Sequence, residues 1–392
     1  MKSKKKILRI INRFNLGGPT YNAGLLTKYL SDEYETLLVG GNHEESEGSS
    51  MHIIEQLGLD PVIIPEMQRS ISPKNDRVAY NKIQKIIQDF KPDIVHTHAS
   101  KAGALGRRAA FNAKTPQIYH TFHGHVFHSY FGSLKTNLYK NIERRLAKKS
   151  TNIIAISELQ KRELSEIHRI CPAEKIKVIP LGFDLVPFYT NTEAKRKEFR
   201  SKWKIKENEV AIGIVGRIVP IKDHVFFIHV IEKVIKKTSK KIRVFIVGDG
   251  EEKVNIQALI TTKKLSFSSN KTPALFQFTS WIKNVDEVNA GMDIICLTSK
   301  NEGTPVSLIE AQASGNPIVS TNVGGIENVI SADETGYLSK IGDLEQFSNN
   351  LLKLIENEDI RNDMSKKGIQ MSSQYSFENL ISNIKELYYS AL

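Results

Sequence analysis

The stretch DIICLTSKNEGTPVSLIEA, residues 293–311, reads as three parts. Asp293–Leu297 is a short β-branched apolar run, the pattern of a strand buried on both faces. A polar loop follows. Thr304 then suits a helix N-cap and Pro305 the first helical position. The stretch therefore predicts a strand, a loop and a helix that begins at the strand's C-terminal end.

The same unit recurs outward in both directions. Strand candidates in the first half are 6–11, 36–39, 60–64, 93–97, 117–121, 152–156 and 175–179. Helical patterns separate most of them. After Phe188 the series restarts at 210–215, 243–247, 275–278, 293–297, 317–320 and 336–338. Such alternation predicts an α/β fold of parallel sheets covered by helices, here as two doubly wound Rossmann-like domains. The break falls near Pro180–Asp184, before a charged segment, 193–206, without strand character. Ligands of parallel sheets bind at the C-terminal strand ends, so two such domains facing each other would form a cleft.

A chain of 392 residues fits two domains. Apolar residues at 40% and charged residues at 25% exclude wholesale disorder. Cys171 and Cys296 make no disulfide framework, and no stretch is apolar enough to span a membrane. Arg9, Asn12 and Arg13 interrupt the N-terminal apolar run, which argues against a signal peptide and for a cytoplasmic protein. The net charge of +12 is unevenly placed: residues 1–200 hold 32 Lys and Arg against 20 Asp and Glu, and the remainder holds 23 of each. A basic half suits an anionic partner, whether nucleic acid, an anionic membrane surface or a phosphorylated substrate, or is merely a solvated lysine-rich surface.

Several constellations could carry chemistry. The helix after Pro305 would direct free N–H groups and its positive end at a phosphate. Glu302 lies just outside that helix and Glu310 about one and a half turns inside. Hydroxyls on both sides of a diphosphate, as in a nucleotide sugar, would suit such offset carboxylates. A capped helix with surface glutamates reads equally well. Gly216-Arg217 and Lys222 place two cations after a strand, where they could clamp a diphosphate. Gly17-Gly18 follows the first strand, and Gly248 the second strand of the later series. Gly248 belongs to a glycine turn that lacks the third glycine of a dinucleotide fingerprint. His96, His98, His120, His123, His125 and His128 cluster, without cysteine or carboxylate to complete a zinc set. Segment 133–150 reads as an amphipathic helix, with Leu134, Leu138, Ile142 and Leu146 four apart among basic residues, and Phe127, Tyr130 and Phe131 precede it. It could pack on its own domain or touch anionic lipid.

The segment NEGTPVSLIEAQASGNPIVSTNVGGIENVI, with Glu302 and Glu310 as an E-x7-E element, resembles the donor-binding signature of the family-4 retaining glycosyltransferases. The GR-x(4)-K element at 216–222 and the segments VHTHASKAGALGRRAA and HTFHGHVFHSYFG are also similar to that family. The resemblance spans most of the chain and implies the GT-B fold. The domains would be residues 1–184 for the acceptor, 185–372 for the donor, and 373–392 a helix that crosses back to the first. It implies that Glu302 contacts the donor sugar, Glu310 the ribose, and the backbone of Gly303, Thr304, Pro305, Val306 and Ser307 the sugar and diphosphate. Arg217 and Lys222 would neutralise the leaving group, which makes a metal unnecessary. His123 would lie beside the reacting sugar, with His98 and His120 structural or near the acceptor. Gly17, Gly18, Gly216 and Gly248 would line the diphosphate and nucleotide, and Trp281 and Ile282 the base, although Trp281 could equally be core. Pro19 departs from the pattern and removes one amide donor beside the glycines.

The resulting expectation is a retaining glycosyltransferase without a cofactor. Its donor would be a nucleotide sugar, a UDP-sugar, and its acceptor a lipid-linked or growing glycan of surface polysaccharide assembly. Peripheral contact with the inner face of an anionic membrane is expected, and nucleic acid is not. The alternatives are a nucleotide-sugar epimerase of the same fold and, on charge alone, a nucleic-acid-binding protein.

Overall fold

The computed structural model describes residues 4–15, 18–43, 49–68, 70–123 and 133–390. Gly17, His125, His128, Phe127, Tyr130 and Phe131 fall outside the described residues, as do the side chains of Leu134 and Lys135. The chain forms two compact units: Met1–Phe183 with Tyr375–Leu392, and Asp184–Gln374.

The first unit is a seven-stranded parallel sheet of β1 (Lys5–Arg13), β2 (Tyr34–Gly41), β3 (Val62–Ile63), β4 (Ile94–His98), β5 (Gln117–Phe122), β6 (Asn152–Ala155) and β7 (Ile176–Val178). Its order is β3-β2-β1-β4-β5-β6-β7. The second holds β8 (Glu209–Val215), β9 (Lys241–Val247), β10 (Phe267–Ser268), β11 (Phe276–Ser280), β12 (Ile294–Leu297), β13 (Ile318–Thr321) and β14 (Gly336–Ser339). They are ordered β10-β11-β9-β8-β12-β13-β14, and every pairing in both sheets is parallel. The strand order reverses at β1/β4 in the first sheet and at β8/β12 in the second, where β11 also inserts between β10 and β9. Neighbouring connections leave such a point on opposite faces, which opens a crevice at the strand ends.

The strands are near-continuous runs of Ile, Val, Leu and Phe because helices cover both faces. Ile212, Ile214, Val244, Ile246 and Phe278 of the second sheet are buried against Phe227, Val230, Phe347 and Leu351 of its helices. Each such side chain contributes about 1.5–3 kcal/mol of burial. The helix Phe377–Ser390 belongs to the first unit. Its Leu380, Ile381, Ile384, Leu387 and Tyr388, one helical stripe, pack with Ile7, Ile94 and Tyr119. Reciprocal backbone bonds hold its entry: Phe183 N to Tyr375 O at 2.8 Å and Phe377 N to Phe183 O at 3.0 Å.

All thirteen expected strands are present, and β10 is the one the sequence did not announce. Two residues beside a Ser- and Asn-rich loop are too short to show a period. The basic amphipathic helix forms over Ser133–Lys149, but its expected apolar stripe needs correction. Leu138 is 60% exposed, whereas Glu143, Leu146 and Ala147 are buried. Steps of four residues advance about 400° at 3.6 residues per turn, so a four-spaced row drifts off the buried face. Glu143 turns inward to pair with the buried Arg107 at 2.6 Å.

Candidate functional site

In the second unit the loops after β8 and β12 are fastened to each other. Thr298 Oγ1 donates to the Lys222 carbonyl at 2.8 Å, and the Lys300 amide donates to the Ile221 carbonyl at 2.8 Å. Asp223, at φ 50°, caps the helix His224–Ile235 by accepting from the Phe226 amide at 3.3 Å. This frame brings Lys222 and Glu302 together, although 80 positions separate them in sequence: Nζ to Oε1 is 2.5 Å. Ser299 Oγ donates to the same oxygen at 2.5 Å. A cation and a carboxylate thus lie side by side at the topological switch point. Arg217, five residues before Lys222, is exposed, and its guanidinium makes no hydrogen bond among the described residues, although its carbonyl accepts from the Val219 amide at 3.1 Å.

The helix after this loop spans Val306–Ala313. Pro305 (φ −78°, ψ 87°) is its N-cap, and Thr304 lies outside it. The expected Thr304 cap and Pro305 first position are therefore displaced by one residue. With ψ at 87°, Pro305 is still extended, and no side chain caps the end. Among the described residues the amides of Val306 and Ser307 meet no acceptor, the usual condition of a first turn. At Gly303 a Cβ would meet nothing within 4 Å, so the protein leaves open space there.

Glycines in neighbouring loops permit close backbone crossings. A Cβ on Gly248, at φ 135°, would lie 2.0 Å from the Gly216 carbonyl oxygen. Sequence reasoning missed the pair Gly324-Gly325 as site residues. A Cβ on Gly324 (φ 53°) would be 2.0 Å from the Glu302 oxygen, and one on Gly325 1.9 Å from the Gly303 oxygen. The Gly325 amide donates to the Glu302 carbonyl at 3.2 Å. Their signal was visible: two adjacent glycines that follow a buried parallel strand after two intervening residues. Asp249 was missed too. Bonds from Lys253 and Ser280, each 2.7 Å, hold its carboxyl down at about 2.

Glu310 is not joined to Glu302. It sits half-buried, and desolvation, with the Asp286 charge second, pushes its carboxyl up to about 7. Trp281 is 62% exposed and so is not core, and Ile282 beside it is half-buried.

In the first unit, Gly18 opens the helix Gly18–Tyr29 with Pro19 in second place. The histidines divide by strand face. His120 bonds Thr97 Oγ1 at 2.8 Å and lies against Gly103 and Arg107 of one covering helix, a structural setting. On the other face, His96 is held by the Tyr388 hydroxyl at 2.7 Å and by Thr121 Oγ1 at 2.8 Å. His98 ends β4 fully buried, and its Nδ1 lies 3.0 Å from Nε2 of His123, which is half-buried just beyond β5. Burial holds His96, His98 and His120 well below the usual imidazole range and His123 down to about 3, so all four rings are neutral. Among the described residues no group of three or more His, Cys, Asp or Glu is placed to hold a metal ion. No described helix is long and apolar enough to cross a membrane.

Comparison with known proteins places the chain in a family and agrees with its fold. A family model described as "Glycosyl transferases group 1" matches residues 195–371, and "Glycosyltransferase Family 4" matches residues 23–186. The chain is 30% identical over 334 residues, 83% of its length and 82% of the relative's, to the Escherichia coli UDP-Gal:alpha-D-GlcNAc-diphosphoundecaprenol alpha-1,3-galactosyltransferase. It is 25% identical to the Staphylococcus aureus capsular polysaccharide biosynthesis glycosyltransferase CapM, over 83% of this chain and 84% of that protein. Its fold superposes on the crystal structure of Anabaena HepE in complex with UDP, with a TM-score of 0.79 at 19% identity, over 98% of this chain and 100% of that one.

Proposed function

The chain belongs to the family-4 glycosyltransferases, enzymes of two Rossmann-like units, and from that premise we propose a donor, an acceptor and roles for its residues. The donor is a UDP-sugar, bound by the Asp184–Gln374 unit. Arg217, Lys222 and the free amides of Val306 and Ser307 hold the diphosphate, and Glu302 orients sugar hydroxyls through Gly303's open space. Ionised Glu310 accepts from the ribose, Gly216 and Gly248 allow close approach of the nucleotide, and the exposed Trp281 with Ile282 borders the base. The first unit supplies Gly17, Gly18 and His123 and receives the acceptor. The observation that carries this reading is the Lys222–Glu302 pair at 2.5 Å beside an uncapped helix start. A cation for phosphate and a carboxylate for hydroxyls stand next to each other, as a sugar diphosphate requires.

The reaction proposed is transfer with retention. The sugar C1–O bond to the diphosphate breaks as the acceptor oxygen bonds C1 on the same face. The acceptor's proton passes to the departing phosphate oxygen. Lys222 and Arg217 stabilise the charge that builds there, so no metal is required. The acceptor is a sugar on a lipid diphosphate, in keeping with the substrate for which the E. coli relative is named and with the basic first half. The protein works at the cytoplasmic face of an anionic membrane. The named relatives are transferases, and they lend no support to the epimerase alternative. The test is transfer of labelled sugar from UDP-galactose, UDP-glucose or UDP-N-acetylglucosamine to a short-chain GlcNAc-diphospholipid. A product with an α-anomeric proton supports the proposal, and a β-linked product overturns retention.

A further inference from the structure

Behind His123 lies a buried polar stripe that the roles above leave unused. It runs along the sheet face under the C-terminal helix: Tyr388, His96, His98 and then His123. The His96 ring is bonded at both nitrogens and stacks on His98, with centroids 4.3 Å apart and planes 27° from parallel. His98 in turn meets His123 at 3.0 Å. His98 is fully buried and its Nε2 has no partner among the described residues, and the same holds for Nδ1 of His123. Arg9, on the same face of the neighbouring strand β1 and paired in register with His96, is also fully buried. Its guanidinium lies beside the Tyr388 hydroxyl, outside strict hydrogen-bond geometry, and its nitrogens find no other acceptor among the described residues.

Two neutral imidazoles have one N–H and one lone pair each, so the 3.0 Å contact allows two arrangements. Either His98 donates and His123 keeps its proton on Nδ1, or His123 donates and His98 carries an orphaned N–H on Nε2. The Arg9 charge, which acts on both His96 and His98, favours the first, because it prefers a lone pair to a second buried donor on His98. We propose that His98 is a positioning residue: its Nδ1–H donates to His123 Nε2, fixes that ring and keeps the His123 proton on Nδ1. That N–H is buried and has no partner among the described residues. Any use of it in the reaction rests on the role given to His123 above, whereas the tautomer itself does not.

The experiment is 15N-histidine NMR of the full chain, with His123→Ala used to assign the signal. The wild type should show His123 protonated on Nδ1. His98→Phe keeps a ring in the stack but cannot donate, and it should shift His123 toward the Nε2–H form. His98→Asn, whose amide can donate, should restore the wild-type tautomer and serves if the Phe variant does not fold. His98→Phe should also lower kcat about tenfold or more with little change in KM, and His98→Asn should recover most of it. Nε2–H in the wild type, or an unchanged His123 signal in a folded His98→Phe, overturns the proposal. Normal turnover in His123→Ala would instead sink the catalytic role of His123, and the tautomer measurement would still decide the positioning.

Discussion

Lys222 sits where loss of one charge has two effects. It removes a cation from the proposed diphosphate site and leaves the Glu302 oxygen with Ser299 as its remaining recorded donor. Removing one preorganised charge stabiliser costs on the order of a hundredfold in turnover, and Lys222→Ala should show that loss in the transfer assay. A near-normal rate would contradict the diphosphate assignment. Glu310 makes a prediction in pH. Its carboxyl titrates at about 7 in the unliganded protein, while acceptance from a ribose needs the ionised form. Calorimetry should find UDP bound about tenfold more weakly at pH 6 than at pH 8, and Glu310→Gln should be weak at both. Because this pKa is raised on folding, the empty protein should lose stability as pH rises from about 4.5 toward 7, and Glu310→Gln should flatten that slope in thermal melts. The carboxylates and cations were legible as residue types at a spacing. The partners of Glu302, and the hydrophobic setting that lifts Glu310, arise from tertiary packing and left no mark on the local sequence.

Among the elements, the loops after β8, β9, β12 and β13 depend on one another through backbone crossings. At Gly324 a side chain meets both a left-handed φ and a carbonyl at 2.0 Å, and neither can yield without moving Glu302. Gly324→Ala should therefore cost more than about 1 kcal/mol in chemical denaturation and weaken UDP binding as well. Stability and binding both unchanged would mean that this loop does not position Glu302. The strands were legible because strands buried on both faces are unbroken apolar runs, as in Asp293–Leu297. The helix start was misread by one residue, because Pro305 accepts either the cap or the first helical position and the choice depends on ψ. The Leu134–Leu146 row misled for a geometric reason, since a four-residue step slides round the helix while Glu143 answers a partner, Arg107, far away in sequence.

For the whole molecule, the excess of positive charge lies entirely in residues 1–200. If that half meets an anionic membrane, the protein should co-sediment with vesicles containing phosphatidylglycerol more than with phosphatidylcholine alone, and salt should weaken the association within the range of Debye screening. Equal partition to both vesicles would remove the membrane from the account. The division into two doubly wound units was readable from the restart of the strand series after Phe188. The strand orders were not, since which strands neighbour one another is decided by crossovers of similar length. Those orders place Lys222 and Glu302 beside the same crevice.

The central claim is that the second unit binds a nucleoside diphosphate through Arg217, Lys222 and the start of the Val306–Ala313 helix. Calorimetric titration of the full chain with UDP, GDP and ADP, without added metal, tests it most directly. The account predicts clear binding of UDP, in preference to GDP and ADP, reduced at least tenfold by Arg217→Ala in a protein that still melts normally. No binding of any of the three, or UDP binding that is untouched by Arg217→Ala, would contradict it.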